Sequence, residues 1–503
     1  MRYRALVCSF LILSAGAAQA AKAPAKPAPA PAHPPAPAPA GSTIMQFAQY
    51  GAVPVFRPAG EPSQVVILLS GDQGIGSRET EVGNALAAAG ALVFALDVPH
   101  YIESVVQAKA KCLYPGTEIH QLGQNGQART DLPVYHPPIL VGVGSGGALA
   151  FATLAQSAPG TWTGVVSLGF CPVYAAPRPF CRAGDLETDA KWPGPGTRFL
   201  PDRENKTPWI VLDAPGECPA APGPDLIATT PGASRVPLPA GLSPEAAQSA
   251  WKTALPKALA EIAGKRKEAE AARRAHLGDV ADLPLVEVPA TAPEIDAFAV
   301  DITGSGGYEG LDVEIGDALA EQGVPLVALS SPDYFWTTRD AEGMSRDLAR
   351  ILEHYLKAWH KSKVVLIGYS QGADVIPYMV TRLPEELRAK VASIGLVGPD
   401  DQAELDMGLS GFRNRKPPAT LPVISETAET ARLKGHKVVC VYGKREKHSI
   451  CPALDPALGI DLLTVGSGHG FSGRAPEMIE RFLTVAGLPV RAPEAPAAPA
   501  AAE

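Results

Sequence analysis

The pattern of apolar and polar positions divides the chain into two kinds of segment, which alternate along it. Short runs such as VVILL, ILVGV, FAVDI and KVVLIG are almost wholly apolar, and each leads into a turn that contains glycine. Between them lie longer segments with the apolar spacing of helices. Strands that are buried on both faces are apolar at every position. The pattern therefore predicts an α/β fold with a mostly parallel sheet and helices on both of its faces.

The second half of the chain repeats the order of segments in the first half. EVGNALAAAGALVFALDVPHY has its counterpart in EIGDALAEQGVPLVALSSPDY, and the spacing between the copies is constant from Ser70 and Thr303 to Tyr101 and Tyr334. PPILVGVGSGGALAFATLA is likewise matched by SKVVLIGYSQGADVIPYMV. An internal duplication accounts for these matches, so we expect two α/β units of similar architecture.

The N-terminus has the features of a secretory signal peptide over residues 1–20. Arg2 and Arg4 precede an apolar run, and Ala-Gln-Ala at its end is a typical cleavage site. The run is shorter than the roughly 20 apolar residues that span a membrane. We therefore expect export of a soluble mature protein to the periplasm.

Composition divides the rest of the chain. Ala/Pro repeats over residues 21–42 predict an extended linker, and residues 490–503 are predicted to be a disordered tail of similar composition. A charged helical segment that ends near residue 276 is expected to close the first unit. We assign the two units to residues 43–280 and 284–489.

The charge of the chain bears on its partners. The 503 residues carry a net charge of −8 at neutral pH, whereas nucleic-acid-binding domains are basic. We therefore expect no nucleic-acid partner. The metal-binding spacings C-x-x-C and H-E-x-x-H are absent from the sequence, so no metal site is predicted.

The cysteines point to disulfides. Of the seven cysteines, Cys8 lies in the signal peptide, and the even number that remains is typical of pairing in an oxidising compartment. Cys440 and Cys451 are the only two in the C-terminal half, so we predict that they pair. The sequence leaves open how the other four pair: Cys112, Cys171, Cys181 and Cys218.

The segment VVLIGYSQGADVIP places the motif G-x-S-x-G between an apolar strand and a helix. In α/β-hydrolases this motif forms the nucleophile elbow, a sharp turn that lifts the serine hydroxyl above the edge of the sheet. The helix that follows directs backbone N–H groups to the place where an oxyanion develops. We therefore predict two α/β-hydrolase-like units, with Ser370 as the nucleophile of the second.

A serine nucleophile needs a base, and the base needs an orienting carboxylate. In this fold the order along the chain is serine, acid, histidine. His469 follows the last apolar strand, in LLTVGSGHGFSG, and is the predicted base. Glu446, three residues after the glycine that ends VVCVYG, is the predicted acid. Asp400 and Asp401, after the preceding strand, remain the alternative.

Two backbone N–H groups are expected to bind the oxyanion. One belongs to Gln371, the residue immediately after the nucleophile. The other is expected in the glycine-rich turn TGSGGY, from Ser305 or Gly306.

The first unit lacks an equivalent set of residues. Its counterpart of the elbow is GVGSGG, in which Ser145 is present but Val143 replaces the leading glycine. Glu217 is a candidate acid, but SRVPLPAGL, which corresponds to the loop of His469, contains no histidine. A serine without a base is a poor nucleophile at neutral pH. We therefore expect residues 43–280 to be a degenerate copy with a structural or substrate-guiding role.

The second unit resembles the bacterial VirJ virulence-factor family. SSPDYFW and the following RDLARILEHYLKAWHKSKVVLIGYSQGADVIPYMVTRLP carry the resemblance, which covers about residues 284–488. The signal peptide and the diverged first copy resemble the longer AcvB form of the family. One departure is the turn TGSGGY, where the family usually has a turn similar to SGDGGW.

The resemblance implies a periplasmic serine hydrolase that acts on aminoacylated phosphatidylglycerol, such as lysyl-phosphatidylglycerol, at the membrane surface. Cleavage of the aminoacyl ester by such an enzyme needs no cofactor. By motif position, Ser370 would be the nucleophile, His469 the base and Glu446 the acid.

Three matters stay open at this point. Tyr334, Phe335 and Trp336 are either a substrate-contacting surface near the site or ordinary core aromatics. The same catalytic residues would serve a secreted esterase or peptidase of another specificity. A non-catalytic periplasmic adaptor, with secretion-system components as partners, is a further role associated with VirJ proteins.

Overall fold

Two separate sheets contain most of the strands, as the alternation of segments predicts. The computed structural model describes residues 38–130, 132–215, 225–400 and 426–492. The signal peptide, most of the Ala/Pro-rich linker and most of the C-terminal tail lie outside the described residues.

The first sheet belongs to the first half of the chain. Its strands are β1 (Ser42–Phe47), β2 (Gly51–Phe56), β3 (Gln64–Leu69), β4 (Ala91–Leu96), β5 (Ile139–Val143), β6 (Gly164–Leu168), β9 (Trp209–Leu212) and β10 (Ala233–Val236), while β7 (Val173–Tyr174) and β8 (Thr197–Arg198) pair with each other. The spatial order is β1-β2-β4-β3-β5-β6-β9-β10. Strands β1 and β2 run antiparallel to their neighbours, and the other pairs are parallel.

The second sheet repeats this arrangement. Its strands are β11 (Leu285–Val288), β12 (Phe298–Ile302), β13 (Leu326–Leu329), β14 (Val364–Tyr369), β15 (Val391–Val397), β16 (Val438–Tyr442) and β17 (Asp461–Thr464). The spatial order is β11-β13-β12-β14-β15-β16-β17, and only β11 is antiparallel to its neighbour within the described part of the sheet. The two mostly parallel sheets confirm the predicted fold class.

Helices connect the strands and cover the sheets. They are α1 (Ser77–Ala88), α2 (Val98–Gln107), α3 (Pro115–Ala128), α4 (Ser145–Ala155), α5 (Leu226–Thr229), α6 (Pro244–Ser249), α7 (Trp251–Leu277), α8 (Leu311–Glu321), α9 (Ser331–Tyr334), α10 (Ala341–Ala358), α11 (Gln371–Val380), α12 (Glu385–Arg388), α13 (Glu426–Ala431) and α14 (Ala475–Ala486). The charged segment predicted to close the first unit is the long helix α7.

The central strands of the second sheet contribute to two cores, because successive side chains point to opposite faces of a sheet. In β12, Val300 and Ile302 pack with the core that contains residues of α10 and α11, such as Leu348. Ala299 packs with the opposite core, which contains residues of α8 and α14, such as Phe482. Burial on both faces explains why these strands are continuously apolar in sequence.

The two units contain equivalent hydrogen bonds at the end of their first parallel strands, β3 and β12. The Ser70 hydroxyl accepts a hydrogen bond from the Val98 N–H at 2.9 Å. In the second unit the Thr303 hydroxyl accepts one from the Ser331 N–H, also at 2.9 Å. Each contact joins a glycine-containing turn to the N-terminus of the helix that follows the neighbouring strand, α2 after β4 and α9 after β13. The repeat found in the sequence is therefore present in the hydrogen bonding.

A tryptophan of the second unit packs into the first. The described residues from Ala38 onward form one compact body that contains both units. Trp336 is buried within the core of the first half of the chain. Its indole N–H donates to the Leu132 carbonyl oxygen at 3.0 Å, and its ring lies 5.2 Å from the ring of Tyr135. The two units therefore meet through a buried aromatic contact.

Two disulfides are present among the described residues. Cys440 pairs with Cys451, as predicted, and Cys112 pairs with Cys181. Cys218 lies outside the described residues. Over the described part of the chain, none of the helices combines the length and the apolar character that crossing a membrane requires.

The Cys440–Cys451 disulfide leads to a prediction about stability. Replacing both cysteines with alanine is expected to lower the free energy of unfolding by about 3 kcal/mol, because the unfolded chain gains the freedom of a loop with a sequence separation of 11 residues. Urea unfolding of the wild type and the variant, both without reductant, measures the difference. The matched variant without Cys112 and Cys181 opens a separation of 69 residues and should lose more, about 4 kcal/mol. Equal stability of all three proteins would contradict this account.

Candidate active site

Ser370 occupies a sharp turn between strand β14 and helix α11. Its backbone has φ 52° and ψ −119°, in a region that residues with a side chain seldom adopt. A Cβ on Gly368 would lie 2.5 Å from the backbone of Gly372, and a Cβ on Gly372 would collide with the carbonyl oxygen of Ile302. Both glycines of G-x-S-x-G are therefore required by the close approach of the helix to the neighbouring strand.

The imidazole of His469 lies against the serine hydroxyl. His469 Nε2 is 2.9 Å from Ser370 Oγ. The ring stacks on the ring of Tyr369 with a centroid distance of 5.5 Å, and the Tyr369 hydroxyl donates to the His469 carbonyl oxygen at 3.1 Å. The imidazole is therefore within reach of the hydroxyl proton. Its ring is supported by Tyr369, the residue that precedes Ser370.

Glu446 completes a chain of hydrogen bonds. Its Oε1 contacts His469 Nδ1, and its Oε2 accepts from the Gly443 N–H at 2.8 Å. The carboxylate is 9% exposed, whereas the imidazole is 46% exposed. A nearly buried carboxylate that is fixed at its second oxygen holds the imidazole in one orientation and selects the tautomer with a free Nε2.

The alternative acids occupy other places. The backbone N–H of Asp400 donates to Asp374 Oδ1 at 2.8 Å, and Asp401 lies outside the described residues. Within the described part of the chain, the carboxylate in contact with the His469 imidazole is that of Glu446.

The turn after β12 lies next to the elbow. A Cβ on Gly304 would be 2.9 Å from the Tyr369 ring, and the Gly304 N–H already donates to Asp312 Oδ1 at 3.3 Å. Among the described contacts, the N–H groups of Ser305 and Gly306 have no hydrogen-bond partner. The third N–H group belongs to Gln371, the first residue of helix α11, which directly follows Ser370. These are the three N–H groups predicted to face the oxyanion.

A buried pair of carboxyl groups below this turn was not predicted from the sequence. Asp301 and Asp312 are almost completely inaccessible to solvent. Burial raises the pKa of Asp301 to about 7, and burial together with the neighbouring charge of Asp301 raises the pKa of Asp312. One signal was available: Asp301 interrupts the apolar strand FAVDI. The pair therefore retains a proton near neutral pH and supports the turn through the Gly304 N–H.

The elbow of the first unit differs from the prediction by one residue. Gly144, with φ 58° and ψ −120°, has the backbone conformation of Ser370. Ser145 follows it and therefore corresponds to Gln371, and its hydroxyl donates to Asp72 Oδ1 at 2.6 Å. The earlier assignment of Ser145 to the nucleophile position is wrong. The first unit has glycine at that position, and its candidate acid Glu217 lies outside the described residues.

The aromatic segment upstream of the elbow is in the core. Tyr334 and Phe335 are completely buried and Trp336 is nearly so. The Tyr334 hydroxyl donates to Asp347 Oδ2 at 2.7 Å, and Trp336 is bound to the first unit. The prediction that these three side chains form a substrate-contacting surface is therefore wrong for Tyr334 and Phe335, which are core aromatics. Trp336 lines a cavity of about 1010 Å³ at the junction of the units.

A mostly parallel sheet, a strained serine after its central strand, and a histidine and a glutamate in hydrogen-bond contact define an α/β-hydrolase. Residues 296–486 match the family described as bacterial virulence protein (VirJ). No curated protein sequence matches the chain.

Solved structures resemble about two fifths of the chain. Est1E from Butyrivibrio proteoclasticus, with ferulic acid bound, is 13% identical over 40% of this chain and 92% of its own, with a TM-score of 0.30. TT1662 from Thermus thermophilus is 16% identical over 42% of this chain and 95% of its own, with a TM-score of 0.31. Likenesses this distant say nothing about what this chain acts on.

The buried carboxyl pair predicts a pH dependence of stability. Between about pH 4 and pH 7 the folded state retains a proton on Asp301 that the unfolded state releases, so the contribution of this group to stability falls as the pH rises. The variant Asp301→Asn cannot titrate at this position. Its stability relative to the wild type should therefore increase from about pH 5 to about pH 8, by about 2–3 kcal/mol. Urea unfolding at both pH values measures the change, and a constant difference would contradict the assignment.

Proposed function

We propose that the second unit is a serine hydrolase that cleaves the aminoacyl ester of aminoacylated phosphatidylglycerol, such as lysyl-phosphatidylglycerol. The observation that carries this proposal is the contact of Ser370 Oγ with His469 Nε2 at 2.9 Å, with Glu446 on the other imidazole nitrogen. This arrangement supports nucleophilic attack by an activated serine.

In the first half of the reaction, Ser370 Oγ attacks the carbonyl carbon of the aminoacyl group while its proton moves to His469 Nε2. The tetrahedral oxyanion is bound by the Gln371 N–H and by an N–H of Ser305 or Gly306. The bond from the carbonyl carbon to the glycerol oxygen then breaks, and the imidazolium returns the proton to that oxygen. Phosphatidylglycerol leaves, and the amino acid remains as an ester of Ser370.

In the second half, a water molecule gives its proton to His469 Nε2 and attacks the acyl carbon. The tetrahedral intermediate collapses with release of the amino acid, and the proton returns to Ser370 Oγ. The Glu446 carboxylate stabilises the imidazolium in both halves, because the Gly443 N–H holds it in place.

The choice of substrate is supported by observations other than the arrangement of the catalytic residues. The family match over residues 296–486 supports it, together with the resemblance of the whole chain to the AcvB form. A lysylated headgroup has two ammonium groups and one phosphate and is cationic, and a chain with a net charge of −8 does not repel it. The proposed location is the periplasm, at the membrane surface, and the two disulfides support an oxidising compartment.

The first test removes the nucleophile. Purified protein is incubated with vesicles of lysyl-phosphatidylglycerol or of phosphatidylglycerol, and free lysine is measured. We expect the wild type to release lysine from the former, and Ser370→Ala to be at least about 10³-fold slower with an unchanged thermal unfolding curve. Ser145→Ala is the matched control in the first unit and should retain full activity. Equal rates for wild type and Ser370→Ala would contradict the mechanism.

Other outcomes of this test distinguish the alternatives. A wild type that hydrolyses simple esters but not the aminoacylated lipid is an esterase of another specificity. A wild type that hydrolyses none of these substrates and is not labelled at Ser370 by a fluorophosphonate would favour the adaptor role.

The second test identifies the acid. We expect Glu446→Gln to lower kcat by about 10²–10⁴-fold with little effect on KM, because the amide no longer stabilises the imidazolium or selects its tautomer. Asp400→Asn makes the same chemical change at the alternative position and should leave kcat unchanged. Steady-state rates of lysine release measure both variants, and the reverse result would assign the acid to Asp400.

A further inference from the structure

We infer that the first unit contributes positioning residues to the active site of the second: His120 and Gln124, on helix α3, hold the turn formed by residues 304–309 in the geometry that binds the oxyanion. This inference rests on the proposed function, because the turn has this role only in a serine hydrolase. The degenerate first unit would thus position the groups that bind the oxyanion.

The first contact is made by Gln124. Its side-chain amide Nε2 donates to the carbonyl oxygen of Gly306 at 3.2 Å. A peptide unit is planar, so fixing this oxygen also fixes the orientation of the peptide that joins Gly306 to Gly307. The N–H of this peptide belongs to Gly307 and donates to the Gly304 carbonyl oxygen at 3.1 Å. Holding the peptide therefore holds the closed turn that contains Gly306, whose own N–H is one of the expected oxyanion donors.

The second contact is made by His120 through Glu309. His120 Nδ1 lies 3.4 Å from Glu309 Oε2, and its other ring nitrogen, Nε2, lies 2.9 Å from the Tyr135 hydroxyl. The other carboxylate oxygen of Glu309 lies so close to Gly306 that a Cβ there would collide with it. The side chains of His120 and Glu309 are 8% and 15% exposed. A buried chain of polar groups from the first unit thus reaches the turn.

The turn needs support from outside because of its own sequence. It contains glycine at positions 304, 306 and 307, and glycine loses more conformational freedom on ordering than any other residue. The second unit fixes one end of the turn through Asp312 and the Gly304 N–H. The contacts of Gln124 and His120 lie at the other end. Oxyanion donors lower the barrier only if they are in place before the charge develops, so both ends need to be fixed.

The test exchanges the amide of Gln124 for a carboxylate of nearly the same shape. Gln124→Glu cannot donate to the Gly306 carbonyl oxygen and repels it. We expect kcat for lysine release from lysyl-phosphatidylglycerol vesicles to fall about 10–100-fold while KM changes less than about threefold, because donors to the oxyanion act mainly in the transition state. Binding of a boronic acid, which forms a tetrahedral adduct with the serine, should weaken by a similar factor.

The matched control is Gln121→Glu. It makes the same change on the same helix at a residue that has no described contact with the turn, and we expect it to retain the kcat of the wild type. Gln124→Ala is a second variant that removes the donor without adding charge. Thermal unfolding of each variant identifies any that fails to fold.

The outcomes separate the two proposals. If wild type is active and Ser370→Ala is not, but folded Gln124→Glu and Gln124→Ala retain wild-type kcat and boronic acid affinity, the inference is overturned and the proposed function stands. A loss confined to KM would also overturn it, because it would indicate a role in substrate binding alone. A wild type that is inert toward esters and toward a fluorophosphonate would overturn both.

Discussion

The close approach of helix α11 to strand β12 is the constraint on which the site depends. The backbone of Gly372 lies against the carbonyl oxygen of Ile302, where no side chain fits. Helix and strand can come this close only if the chain turns sharply between β14 and the helix, and this turn forces Ser370 into its strained conformation. The same approach brings the turn that follows β12 to the side of the elbow. One packing contact thus sets the positions of Ser370 and of the neighbouring turn formed by residues 304–309.

Much of the fold and of the candidate site could be predicted because each depends on local patterns. Continuous apolar strands, the spacing of glycines around Ser370 and the order of acid and histidine along the chain are all visible in the sequence. The contact of His469 with Ser370 across about a hundred residues follows from the parallel sheet, which gathers the ends of its strands at one edge. The pairing of Cys440 and Cys451 followed from their isolation in the second half.

Other features were out of reach because they depend on packing between distant segments. The sequence GVGSGG offers two frames for an elbow, and only the backbone conformation of Gly144 decides between them. Aromatic residues have the same appearance in sequence whether they line a pocket, fill a core or join two units, as Trp336 does. The contact of Gln124 with the turn after β12 joins units that no local pattern connects.

Glycine at the first unit's elbow changes the energetics of that copy. A residue with a side chain costs of the order of 1–3 kcal/mol in such a conformation, and glycine avoids most of this penalty. The first unit therefore keeps the shape of the turn without the strain that the side chain of Ser370 adds in the second. Of two similar halves, the second carries this local strain and the first does not, so the strained half packs against an unstrained neighbour through the buried Trp336.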